Sequence, residues 1–498
     1  MIKEKTYNNI NIYDDILTFL HKNLSHPFFM AIDIPFIGVD TQYPLASGES
    51  AARVHLDGAA SPLVMQVAMD AICKLLPHYS NSHSHSHASA RICSDAFNWS
   101  IQTILQSTGA DEQYQCAFMG SGSTAWLNNI ARRLASKNIE GNKDSVVLVS
   151  AMEHHANDLP HRRHSRVEHF DLIGENATQG DINLDLLEQK LQLHAGNVNY
   201  VAFSAVSNVT GIVAPIKEIA ALAHKYGALS VVDCAQMAAH LPLNIAENNA
   251  DFIVFSGHKV YAGASPGVMI AKKTVLEKYP SDEMGGGIVE HVGYRDVEFT
   301  QHFPARELPG TKNVLGAYAL ANVFSTLTET NFCLIQQHSE ELWQYAFDQL
   351  NQLRNEAGEP LITIYGTSQQ ARIGAMSFNL KNIDHGLAAA VLSDYFGIAL
   401  RNECFCAHPY VSSLLKEELW SLDLDDIADE DQEAFINRKR GMLRASFSLY
   451  NTKENIDNLA IALSHISKNI EMYQKEYKVL ANGDYVHKTF QLDLEHFL

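Results

Sequence analysis

The sequence predicts an α/β protein: a mostly parallel central sheet in a large domain, followed by a smaller α+β C-terminal domain. Three observations carry this. Five short apolar runs recur between residues 115 and 257: QCAFMG (115–120), SVVLVSA (145–151), YVAFSAV (200–206), LSVVDCA (229–235) and DFIVFSG (251–257). They lack strict alternation, as do strands covered on both faces. Helix-period segments such as AWLNNIARRLAS and IKEIAALAHKYG separate them, and Gly227 suits the C-terminal cap of the second. After about residue 320 the pattern changes to one long helical stretch, about 315–355, and then scattered strands.

The elements follow in chain order. Residues 1–52 form an N-terminal arm, with an amphipathic stretch YDDILTFLHKNL and then a Pro- and Gly-punctuated segment. Residues 53–320 form the large domain and 321–475 the small one. The small domain holds the strand-like runs LITIYG (361–366), MSFNL (376–380), GIALRN (397–402) and LRASFSLYN (443–451), and NIDNLAIALSHISKNIEMYQKEY closes it as a helix. An acidic insertion at about 414–440 reads as helical, as a partner-docking element, a lid or a solvated surface. Residues 476–498 read as a tail.

Composition bounds the function. The chain has 498 residues, 37 Lys plus Arg against 57 Asp plus Glu, and a net charge of −20. An apolar share of 46% with 19% charged residues is that of a globular protein with a sizeable core. The charge argues against nucleic acid, because polyanion binding needs clustered positive groups, but a few local donors can still hold a small anion. No basic-then-apolar leader and no run of about 18 apolar residues is visible, so neither a signal peptide nor a membrane span is expected. Seven scattered cysteines suit a reducing compartment, and the expected location is cytoplasmic.

Three segments carry chemistry. Lys259, in SGHKVYAG just past the run DFIVF, can be desolvated there, which lowers an amine pKa and favours imine formation; otherwise it is a solvated loop residue. Asp233 ends VVD, at the strand edge where α/β proteins bind ligands, or simply caps the next helix. GSGSTAW (120–126) follows a strand and opens a helix, so Gly122, Ser123 and Thr124 offer N–H groups and hydroxyls to a phosphate; the alternative is an ordinary capped helix start. It is neither a nucleoside-triphosphate loop nor a dinucleotide fingerprint. An imine lysine, a carboxylate for a ring nitrogen and a phosphate cradle together describe pyridoxal 5'-phosphate.

With these segments the chain resembles the class-V aminotransferase-like, fold-type I pyridoxal-phosphate enzymes, closest to the cysteine desulfurases and selenocysteine lyases. The resemblance covers roughly residues 53–475. It rests on LDGAA (56–60), MEHHAN (152–157), SNVTG (207–211), VVDCAQ (231–236), FSGHK (255–259), PGTKN (309–313), RNECFCAHP (401–409) and RASFSLYNT (444–452), in family order. The resemblance implies that Lys259 binds the cofactor as an imine. Asp233 pairs with the ring nitrogen, Gln236 bonds the ring hydroxyl and His154 stacks on the ring and transfers protons. Asn208 lies near the ring and the substrate carboxylate, while Ser123, Thr124, Ser256 and His258 hold the phosphate. Thr311 matches a residue that reaches the neighbouring subunit's phosphate, which implies a homodimer.

Cys406 decides the reaction. A thiolate near the sulfur of a bound amino acid can attack it, and Cys406 stands five residues after Arg401, as the family's attacking cysteine stands after a substrate-binding arginine. Otherwise it is a small buried apolar residue. Arg401 and Arg444 are the carboxylate candidates, since guanidinium binds carboxylate bidentately. Cys404, if in a strand, shares the face of Cys406 and reads as a buried spectator. Glu403, the 37 residues 407–443 before Arg444 and Lys312 in place of a proline depart from the family pattern. The expected reaction takes L-cysteine or selenocysteine, yields alanine and a persulfide on Cys406, and hands the sulfur to an acceptor protein or thiol. The rivals are an aminotransferase, an epimerase or a carbon–sulfur lyase with no essential Cys406, and a non-catalytic scaffold. His83, His85 and His87 alternate in SNSHSHSHASA and suit an entry loop more than a metal, and none is expected as a metal site. His161, Arg162, Arg163 and His164 read as a surface patch.

Overall fold

The computed structural model describes residues 32–135, 145–170, 183–366, 370–416, 419, 436, 439–480, 483–493, 495 and 497. The amphipathic stretch of the N-terminal arm and most of the acidic insertion lie outside them.

Within the unit Ile34–Leu498 the chain builds two main sheets. The larger has seven strands: β1 (Tyr114–Met119), β2 (Val146–Ser150), β3 (Arg166–Phe170), β4 (Val198–Ser204), β5 (Leu229–Asp233), β6 (Phe252–Ser256) and β7 (Gly267–Lys272). Their spatial order is β1-β7-β6-β5-β4-β2-β3. The five apolar runs became β1, β2, β4, β5 and β6. Every residue of β2, β4 and β6 is buried, which explains the missing alternation. Pairing is parallel from β3 to β6, and only β7 runs against its neighbours β1 and β6.

Two strands escaped the sequence reading. Edge strand β3, RVEHF, is half-exposed and polar. β7 follows β6 after only a short connection and so breaks the strand–helix alternation. All C-terminal ends of the parallel strands point to one edge of the sheet, the usual ligand edge.

The smaller sheet is antiparallel, with β8 (Ile362–Ile364), β9 (Ala375–Leu380), β10 (Arg401–Glu403) and β11 (Met442–Ser446) in the order β8-β9-β11-β10. Its core joins Phe378, Leu443 and Phe447 to Leu342 and Leu350 of one helix and Leu459 and Leu463 of another. The long helical stretch is two helices, Val314–Thr330 and Phe332–Asn351. Asn331 parts them: its φ is +76°, and its side chain accepts the Cys333 N–H at 3.0 Å. The C-terminal stretch carries a hairpin, Tyr477–Val479 with Tyr485–His487, fixed by Tyr477 Oη donating to Asp394 at 2.9 Å.

Two seams join the sheets. Segment 54–60 runs along β11, where the Ser446 N–H donates to Leu56 O at 2.8 Å and the Ala59 N–H to Ser446 Oγ at 3.0 Å. Loop SNVTG leaves β4 and meets β9: Ser377 Oγ donates to Val209 O at 2.5 Å and the Ile373 N–H to Gly211 O at 3.0 Å. Gly211 has φ +72°, and a Cβ there would stand 2.3 Å from Ile373 O and 2.6 Å from Ala375 O. No side chain fits without parting the seam. Gly211→Ala is therefore expected to lower stability by about 2 kcal/mol or more, read from the urea midpoint; an unchanged midpoint would contradict this seam.

Candidate active site

A cavity of about 840 Å³ opens at the C-terminal edge of β1, β4, β5 and β6. It is lined by Lys259, Asp233, His154, Gln236, Asn208, Ser123, Thr124, Ser256, His258, Arg401, Cys406 and Arg444. The structure thus gathers every expected site residue but Thr311, which is exposed and outside the lining.

One end of the cavity is the start of helix Ser123–Ala135, directly after β1. The Ser123 N–H donates to Ser256 Oγ at 2.8 Å, and that hydroxyl donates to Ser123 Oγ at 3.2 Å, so β6 and the helix start are tied together. Gly122 and Gly267 are packed backbone to backbone: a Cβ on Gly267 would stand 2.3 Å from Gly122 O. His258 Nδ1 lies 3.3 Å from Ser121 O, and Thr124 is exposed to the opening. The remaining helix N–H groups and hydroxyls suit a phosphate.

Asp233 ends β5, buried, and accepts the Ala235 N–H at 2.9 Å. Burial raises its pKa, while that N–H and nearby Lys259 pull it down. Lys259 follows β6 in a single turn, Gly257–Lys259. Burial lowers its pKa; Asp233 opposes this, and Arg444 adds to it. A buried carboxylate whose cationic neighbour is a desolvated amine fits a pyridinium nitrogen, and the amine fits an imine. The donor set therefore suits pyridoxal phosphate. His154 caps the turn His155–Asn157, its Nδ1 accepting the Ala156 N–H at 3.0 Å. Burial first, then the charge of Lys259, pushes its pKa down to about 4, so the ring is neutral near pH 7. Gln236 Nε2 donates to Ala59 O at 2.8 Å, which brings LDGAA into the site.

The small sheet supplies the third side. Arg401 and Arg444 stand opposite each other on β10 and β11. Arg401 is exposed and Arg444 buried. Arg444 donates to Asn208 O at 2.8 Å and to Asp57 Oδ1 at 3.1 Å, and lies 4.7 Å over the Phe405 ring. Its Nε is buried with no hydrogen-bond partner.

β10 ends at Glu403. Glu403, Phe405 and Cys406 all have positive φ, +83°, +51° and +53°. This irregular turn corrects the expected shared face of the two thiols: Cys404 is buried and Cys406 exposed. The Cys404 thiol donates to Arg440 O at 3.1 Å, and burial pushes its pKa up to about 11, which disfavours the reactive thiolate. The Cys406 carbonyl accepts the His155 N–H at 2.7 Å, and Asn208 Nδ2 donates to Phe405 O at 2.8 Å.

Burial corrects one other reading. His161 is not on a surface patch: it is fully buried, with Nδ1 2.9 Å from Tyr200 Oη and Nε2 3.1 Å from Asn157 Oδ1. A lone polar run gave no hint that this helix turns inward. His83, His85 and His87 are exposed, His87 caps helix Ala88–Ser107, and no metal-holding group occurs among the described residues. Sequence reasoning missed Asp57, Phe405 and Ser204 as site residues. Asp57 and Phe405 stand inside the quoted LDGAA and RNECFCAHP, and Ser204 ends a strand.

Comparison with known proteins agrees with this geometry. The family described as Aminotransferase class-V matches residues 54–459. A probable cysteine desulfurase of Halalkalibacterium halodurans is 32% identical over 412 residues, 82% of this chain and 92% of that protein. One from Vibrio cholerae is 30% identical over 412 residues, with the same coverage of both chains. Among solved structures, the cysteine desulfurase CsdA from Escherichia coli matches with a TM-score of 0.68 at 25% identity, covering 84% of this chain and 95% of that one. A cysteine desulfurase from Thermococcus onnurineus matches in fold, with a TM-score of 0.73 at 24% identity over 89% of this chain and 100% of that one. With over three-quarters of its length matched, and with the strand-edge lysine and aspartate in place, the chain belongs to the class-V aminotransferase family.

Proposed function

We propose that the protein is a pyridoxal-phosphate-dependent cysteine desulfurase, converting L-cysteine to alanine and leaving a persulfide on Cys406. The observation that carries this reading is the placement of Cys406: an exposed thiol on the wall of the cavity that also holds Lys259, Arg401 and Arg444. Bound at Lys259, the cofactor would supply a conjugated electron sink next to the amino acid's α-carbon.

The chain's own groups do the rest. Arg444 and Arg401 bind the substrate carboxylate and fix which way its sulfur points. Asp233 would favour a protonated nitrogen on the ring of the bound cofactor. Lys259, desolvated, holds its amine in a form that can accept a proton, and the neutral His154 ring can accept one too. Cys406 Sγ forms a bond to the substrate sulfur while the carbon–sulfur bond breaks. That bond's electron pair stays on carbon, which takes a proton to give alanine. The persulfide then passes to an acceptor protein or thiol. Thr311, exposed and away from the cavity of its own chain, supports a homodimer in which it serves the neighbouring site. The seven free cysteines support a cytoplasmic location.

Wild type should release alanine from cysteine, and Cys406→Ser should lower this by roughly 100-fold or more while keeping the cofactor's absorbance band, as expected for loss of a nucleophile. Lys259→Ala should abolish that band. Alanine formation at the wild-type rate in Cys406→Ser would favour the rival lyase or transaminase chemistry. A second measurement reads protonation. His154 and His161, both pushed down to about 4 by burial, should give neutral imidazole ¹⁵N shifts at pH 5.5. A folded pKa below the ordinary value means the stability each contributes is complete above pH 6.5 and is lost as pH falls toward 4. A protonated pattern at pH 5.5 would contradict both burials.

A further inference from the structure

The desulfurase chemistry leaves one buried ionisable group beside the cavity without a role: Glu153, which precedes His154 and is 4% exposed. Its carboxylate receives four donors. The Ser204 N–H reaches Oε1 at 2.8 Å, and the Ser204 hydroxyl reaches Oε2 at 2.6 Å. Asn157 Nδ2 reaches Oε2 at 2.6 Å, and the Ser150 hydroxyl reaches Oε1. These donors sit at the end of β2, at the end of β4 and on the turn that carries His154.

The bonding continues with one polarity. Asn157 gives its NH₂ to Glu153, so its Oδ1 must accept from His161 Nε2, and neutral His161 then accepts from the Tyr200 hydroxyl through Nδ1. On the other side of the turn, the His155 N–H holds the Cys406 carbonyl. Cys406 and Phe405 both need that support, because their backbones lie in the left-handed region.

We propose that Glu153 is a positioning residue of the reaction: its carboxylate sets the turn that presents the His154 ring and, through the His155 amide, the backbone of the sulfur-accepting Cys406. The proposal deepens the desulfurase reading and rests on it for its kinetic arm.

The test is Glu153→Gln in the holoenzyme. One carboxylate oxygen becomes an NH₂ that faces an N–H donor, either of Ser204 or of Asn157, so the bonding that sets the turn must rearrange. The turnover number for alanine formation should fall roughly tenfold or more, with KM for cysteine kept within about threefold, as a misplaced reacting group predicts. In the substrate-free protein, iodoacetamide alkylation of Cys406 should change by about threefold or more, followed on the Cys406 peptide because Cys73 and Cys333 are also exposed. Ser150→Ala, which removes one donor away from the cavity, should move both readouts the same way by a smaller factor.

Wild-type turnover and wild-type Cys406 alkylation in E153Q overturn the proposal. A fall in turnover with unchanged alkylation overturns its link to Cys406. If E153Q does not fold, wild-type values of both readouts in S150A overturn it. Alkylation needs no turnover, so it decides the positioning role even if the wild type makes no alanine and the desulfurase reading fails.

Discussion

The buried guanidinium of Arg444 is the interaction on which the site depends. It lies on β11 of the small sheet, yet its partners are the Asn208 carbonyl in a loop of the large sheet, Asp57 in the entering segment and the Phe405 ring beside Cys406. Four segments far apart in the chain therefore meet on one charge. A buried guanidinium is costly when a partner is missing, so loss of the Asp57 carboxylate while Arg444 stays buried costs on the order of 3–5 kcal/mol. Asp57 and the carbonyl satisfy only part of the guanidinium, since Nε is buried without a hydrogen-bond partner.

The electrostatics of the cavity are local. The chain carries a net charge of −20, but the cavity wall includes Lys259, Arg401 and Arg444, together with the N-terminus of the Ser123–Ala135 helix. Within this set burial and charge act against each other. Burial disfavours the charged forms of both Lys259 and Asp233, and their mutual attraction restores part of what burial removes. The pair is thus prepared for a ligand that brings its own ring nitrogen and its own electrophilic carbon. His154, neutral beside Lys259, adds a proton acceptor without adding positive charge.

Much of the site was legible because its chemistry is written in contiguous segments. Lys259 and Asp233 each follow an apolar run, and a run of that kind ends at the ligand edge of a parallel sheet. The helix start at the cavity is legible for the same reason: GSGSTAW joins a strand to a helix. What could not be read was direction and contact. Cys404 and Cys406 are two residues apart, and strand periodicity puts them on one face. The left-handed turn at Phe405 and Cys406 instead buries one thiol and exposes the other. His161 looks like one of four polar surface residues until the helix Leu159–His164 packs it against Tyr200.

By itself, the sequence determined the alternating strand–helix order, the buried strands and the residues at their C-terminal ends, because burial on both faces and the strand period leave a local imprint on residue choice. Only the tertiary structure decided which of those ends share a cavity. It decided that β7 reverses between β1 and β6, that segment 54–60 lies along β11, and that Glu153 and His161 are joined below His154. Such contacts bring together residues whose sequence separation carries no periodicity, and their stability comes from burial and hydrogen bonds that exist only once both sheets have formed.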